Sequence, residues 1–160
     1  MITKVFWHVE GHVLGMQHQG AFHPKEQPII MRMLADIMQQ YADQSASNTP
    51  RIVHLINEVL EEDANNLAIN RFQEATTVAN GVRPPEYFGQ FIVVLHNQKA
   101  SPMMRFLGST AARTIGLRLH FSDTIDDAFA FLRDYDDAVG GATFRRAHEV
   151  EGDLRSALLR

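Results

Sequence analysis

Between Lys4 and Val9, Val5, Trp7 and Val9 alternate with Phe6 and His8, the two-residue period of a strand rich in β-branched and aromatic residues. Glu10-Gly11-His12 supplies a turn, and Val13–Gln19 returns as a second strand with Leu14, Met16 and His18 on one face. Gly15 within it marks a close approach or a bulge. After Gly20 the period lengthens. Ile29, Ile30, Met33, Leu34, Ile37, Met38 and Tyr41 form one broad helical stripe, entered through Pro24 and Pro28 and closed by the turn-forming run Ser45–Pro50.

Arg51–Asn57 then reads as a short, buried parallel strand. Residues 64–79 read as a second helix with Ala68, Phe72, Ala75 and Ala79 inward, and Phe91–His96 as the most buried strand. Ser101-Pro102 opens a third helix whose stripe is Met103, Phe106, Leu107, Thr110, Ala111 and Ile115, with Gly116 as its C-cap. Leu117–Phe121 is a further strand. Thr124, with Asp127 three residues on, caps a fourth helix marked by Ile125, Ala128, Phe129, Leu132 and Tyr135.

The order β-β-α-β-α-β-α-β-α predicts a single α/β domain over residues 1–139, built on a mostly parallel sheet with an antiparallel edge strand. Gly140-Gly141 ends that unit. Residues 140–160 are expected to be a helical tail, from the spacing of Phe144, Ala147, Val150, Leu154 and Leu158. Arg145, Arg146, Glu149, Glu151, Asp153 and Arg155 flank this seam, so the tail is expected to dock on its own domain or to join two copies as a homodimer.

Composition narrows the function classes. The chain has 160 residues and a formal charge of −4, with no Lys/Arg run, which argues against nucleic-acid binding. It has no cysteine, which excludes disulfides, thiolate metal sites and a cysteine nucleophile. The longest fully apolar run, Phe91–Leu95, is far shorter than the ~20 residues of a membrane span, and residues 1–13 carry no signal pattern. A soluble, cytoplasmic domain without a cofactor is the expectation.

The opening hairpin, the long first helix, the VHLIN and FIVVL strands, the helix opening SPMMRFL and the segment LHFSDTIDDAFAFL together resemble the SpoIIAA-like branch of the STAS domains, over roughly residues 3–135. The resemblance implies a non-enzymatic regulatory or protein-interaction module. In its anti-anti-sigma members a Ser or Thr at the start of the helix after the third strand is phosphorylated. The corresponding stretch here, from Asn57 to Asp63, holds no hydroxyl residue, so that switch does not carry over. Its acids make a candidate partner surface instead: Asn57, Glu58, Glu61, Glu62 and Asp63, a fixed negative patch at a helix start.

A second reading is that the layout resembles CRAL–TRIO lipid carriers. Met33, Met38, Met103 and Phe106 would then line an apolar pocket for a small hydrophobic ligand. A third is a histidine-based metal enzyme. Of the eight histidines, His18, His96 and His120 fall near C-terminal strand ends, where open sheets bind ligands, and they could share a metal only if their side chains met. Ser109 lacks the second glycine of a nucleophile elbow, and no phosphate loop is present.

Overall fold

The computed structural model describes residues 2–19, 27–43, 52–60, 87–96, 101–114, 116–136 and 149–150. Within them β1 (Ile2–Val9) and β2 (Val13–Gln19) form the expected hairpin, turned at Gly11 with a φ of 72°. They are followed by α1 (Gln27–Asp43), β3 (Val53–Val59) and β4 (Phe88–Leu95). Then come α2 (Pro102–Thr114), β5 (Arg118–Ser122), α3 (Ile125–Tyr135) and β6 (Glu149–Val150). The expected helix over 64–79 lies outside the described residues.

One sheet joins all these strands in the order β5-β4-β3-β2-β1-β6. β2 through β5 are mutually parallel and β1 runs against β2, so the mostly parallel sheet stands. The helices divide between its faces. Leu34 and Met38 of α1 pack with Val5, Trp7, Leu14, Met16, Val53 and Leu55. Met104 of α2 lies on the same side, over Val93, Leu95 and Phe121. Ala128, Phe129 and Leu132 of α3 cover the other face, over Val9, Val13, Ile56, Ile92 and Val94. Each large aliphatic side chain sealed this way stabilises the fold by about 1.5–3 kcal/mol.

Local signals set the helix ends. The Ser101 hydroxyl accepts the Met104 backbone N–H at 3.1 Å, and the Thr124 hydroxyl accepts that of Asp127 at 3.1 Å. Thr124 also donates its own proton to the Asp127 carboxylate at 2.8 Å, closing a short capping pair. Gly116 takes a φ of 78° after α2, and the Leu117 N–H reaches back to the Ala112 carbonyl at 2.8 Å.

Three expectations need correction. The tail was expected to be helical, but its described pair Glu149–Val150 is extended and pairs antiparallel with Phe6 and Val5, because the outer edge of β1 offers unpaired backbone groups. The rest of the tail, with its expected docking or dimer role, lies outside the described residues. Helix α2 is rotated relative to the expected stripe. Its buried positions are Gly108 and Ala112, with Met104 half-buried, while Met103 and Phe106 face outward. Gly108 causes this: a Cβ there would come within 3.0 Å of the Phe121 ring, so the helix settles on its smallest side. Finally, β3 runs two residues beyond Asn57. Glu58 pairs in register with Gln17 and Val59 with His18, and Glu58 finds side-chain partners that let a charged residue stay in the sheet.

Candidate functional site

Positions 54, 56 and 58 of β3 share the face covered by α3, and two of them carry ionisable groups. His54 is almost fully enclosed. The backbone N–H of Gln90 donates to its Nδ1 at 2.9 Å, so the ring proton sits on Nε2 and is donated to Asp136 Oδ2 at 3.1 Å. Burial pushes the His54 pKa down and outweighs the opposing pull of Asp136, so the ring is neutral; the charges of His12 and Arg118 act in the same downward direction. Gly89 makes room for this ring, since a Cβ there would sit 2.5 Å from Nδ1. Asp136 is the C-cap of α3, so the pair fastens the end of that helix to the sheet.

Four residues on, the arrangement inverts. The Glu58 side chain is only 5% exposed, and its carboxylate lies between groups from three other segments. Gln17 of β2 donates Nε2–H to Oε1 at 3.1 Å. His96, in the turn after β4, meets Oε2 through Nε2 at 2.6 Å. His8 of β1 brings its Nε2 to 3.5 Å from Oε1, an ion-pair distance rather than a hydrogen bond, and that nitrogen is buried without a hydrogen-bond partner. The His8 ring is clasped edge-on by Phe6 and Phe129, at centroid distances of 4.6 and 5.2 Å. Gly15 opposite leaves it the space, because a Cβ there would approach the ring to 2.8 Å.

Burial alone would raise the Glu58 pKa. His8 beside it and the hydrogen bonds from His96 and Gln17 together outweigh this, and the carboxyl is held below its ordinary value. Glu58 is therefore ionised near neutrality and can only accept, so the proton between it and His96 belongs to His96 Nε2. Among the described residues, the other ring nitrogen of His96, Nδ1, has no hydrogen-bond partner. The side chain of His96 is 36% exposed, at the C-terminal end of a parallel strand.

The structure scatters the residues expected to act together. Glu58 is buried in this cluster and forms no part of an exposed acidic patch. Asn57 is half-buried, with an unpaired buried Oδ1, and Glu61, Glu62 and Asp63 lie outside the described residues. Met38 is fully buried in the core and Met33 half-buried beside it, whereas Met103 and Phe106 are 61% and 69% exposed, so the four do not line one pocket. His18, His96 and His120 do not converge. His18 shares the face of Leu14 and Met16, where burial lowers its pKa to about 4 and keeps it neutral. His120 is on the opposite face, stacked flat on Phe131 at 3.9 Å, and both burial and the Arg105 charge lower its pKa. Among the described residues no group of three His, Asp or Glu side chains is arranged to hold a metal ion, and no helix is long and apolar enough to cross a membrane.

The partners of Glu58 were missed because they come from distant segments, 41 residues away for Gln17 and 38 for His96. One signal was available: Gly15 interrupts an otherwise bulky strand, paired with Phe6 and lying against the His8 ring, the mark of a close approach. Comparisons with family models, with curated proteins and with solved structures each return no match for this chain.

Proposed function

We propose that this chain is a cytoplasmic regulatory module of the STAS kind, which works by binding a protein partner and lacks the phosphorylated hydroxyl of the anti-anti-sigma proteins. The observation that carries the reading is on α2. Met103 and Phe106 stand one turn apart, 61% and 69% exposed, while the opposite side of the helix is committed to the sheet. Two large apolar side chains held outward on a fixed helix are the kind of anchor that buries into a partner's pocket. The helix itself is pinned. Arg105 donates from Nη1 to the Phe121 carbonyl at 2.9 Å and from Nη2 to Asp123 at 2.7 Å, tying α2 to the end of β5. A rigid presentation lowers the entropic cost of docking.

A partner that co-purifies stoichiometrically with the wild type, and rebinds as purified protein, is expected to be lost from Met103→Glu and from Phe106→Glu. It should be kept by Arg113→Glu, an exposed change in the last turn of the same helix. A wild-type chain that holds no partner, or a partner that both apolar-to-acid variants retain, overturns the reading.

A further inference from the structure

Among the described residues, the interaction reading makes no use of the carboxylate–imidazole pair of Glu58 and His96 at the C-terminal ends of β3 and β4. Three features set it apart from an ordinary surface ion pair. The carboxylate is buried and further held by Gln17, so its position is fixed. The 2.6 Å contact uses one ring nitrogen only, so in the neutral ring the proton sits on Nε2 and Nδ1 carries the open lone pair. And the imidazole is the exposed member of the pair, in the turn that ends a parallel strand. A buried carboxylate behind an imidazole whose second nitrogen is open is the arrangement that makes histidine a strong base or nucleophile. His54 supplies the internal contrast, because both of its nitrogens are occupied.

We propose that His96 is an activated imidazole nucleophile, open at Nδ1 to small activated acyl compounds, with Glu58 as the residue that positions it. The Nδ1 lone pair attacks the carbonyl carbon and a nitrogen–carbon bond forms. The bond from that carbon to the leaving oxygen breaks, and the electron pair departs with the oxygen. The ring, now positively charged, gives up its Nε2 proton through the Glu58 carboxylate to solvent, leaving a neutral acyl-imidazole. Water then adds to the acyl carbon, the nitrogen–carbon bond breaks and the free imidazole returns. Glu58 acts first by holding the ring's orientation and then by stabilising the positive charge that develops on it. The site lies apart from the Met103–Phe106 anchor, so the inference goes beyond the interaction reading and needs no partner for its test.

The probe is diethyl pyrocarbonate, which transfers an ethoxycarbonyl group to imidazole nitrogen and releases ethyl carbonate. Intact protein is treated at neutral pH, and the extent of modification at each of the eight histidines is followed by peptide mass spectrometry. His96 is expected to react first and His54 to stay unmodified while the chain is folded. Glu58→Gln keeps an oxygen acceptor for Nε2–H but removes the charge. It is expected to slow His96 severalfold on the high-pH plateau of the rate profile, with the fold verified by circular dichroism. His96 reacting no faster than His12, or a plateau unchanged in a folded Glu58→Gln variant, overturns the proposal. If that variant does not fold, the ranking within the wild-type protein decides alone.

Discussion

His54 and Glu58 sit four residues apart on one face of β3, each in an imidazole–carboxylate pair, and the two pairs are built inside out with respect to one another. In the first the imidazole is sealed and the carboxylate, Asp136, is partly exposed; in the second the carboxylate is sealed and the imidazole, His96, is at the rim. The buried member decides what each pair can do. A sealed imidazole loses its charge and uses both nitrogens for structure. A sealed carboxylate with enough donors keeps its charge and orients its partner. Charge type and burial together, more than the pairing itself, separate a fastener from a reactive site.

Acid separates these behaviours most strongly. A histidine whose folded pKa is depressed binds its proton more readily when unfolded, so its contribution is intact above the unfolded value and is lost as pH falls below it. His18, lowered from 6.5 to about 4, is expected to cost about 3 kcal/mol of stability across that interval, and His54 adds in the same direction. Glu58 behaves oppositely in range: its contribution is present above the ordinary carboxylate value and disappears only as pH falls through its lower folded value. Urea denaturation across pH should therefore show a first loss in the imidazole range, reduced but not abolished by His18→Phe, and a later one in the carboxylate range, reduced by Glu58→Gln. A single loss confined to the carboxylate range would break the contrast.

The two glycines that make room for the rings sharpen it. Gly89→Ala drives a Cβ into an imidazole locked by two hydrogen bonds and is expected to cost about 3 kcal/mol, whereas Gly15→Ala meets the edges of the His8 and Phe6 rings, neither held by a ring hydrogen bond at the contact, and should cost about 1 kcal/mol. Equal melting shifts for the two variants would show that hydrogen bonding does not decide how firmly each ring is held. Between these two in size is His54→Leu, expected to cost about 2 kcal/mol because the Gln90 N–H is left buried and unpaired. Smallest is Asp136→Asn, expected at about 0.5 kcal/mol, since its side-chain oxygen still accepts the Nε2–H of His54. Chemical denaturation measures both, and an Asp136→Asn cost as large as that of His54→Leu would mean that the carboxylate charge, not the neutral ring, holds the pair.

Features written within a few residues were legible in the sequence. The hairpin turn at Gly11, the Thr124–Asp127 cap and the Gly116 helix stop depend on neighbours only, and each forms as its residues require. The parallel order of the sheet followed from the alternation of strands and helices. What depended on distant segments did not show. Periodicity placed Met103 and Phe106 inward, but the close approach of Gly108 to the Phe121 ring turned them out. Glu58 stands beside Glu61, Glu62 and Asp63 in sequence and so reads as part of a solvated acidic run; its burial is decided by side chains on β1, on β2 and after β4. Asp136, 82 residues from His54, gave no local sign of its partner.

The carboxyl carbon resonance of Glu58, followed by nuclear magnetic resonance as pH is lowered from 7, tests the ionised, buried carboxylate directly. It is expected to stay at its ionised position while the exposed Asp and Glu side chains protonate, and to move only at lower pH. A Glu58 signal that shifts together with those groups or before them would mean that His8, His96 and Gln17 do not hold its charge, and the orientation of His96 would lose its basis.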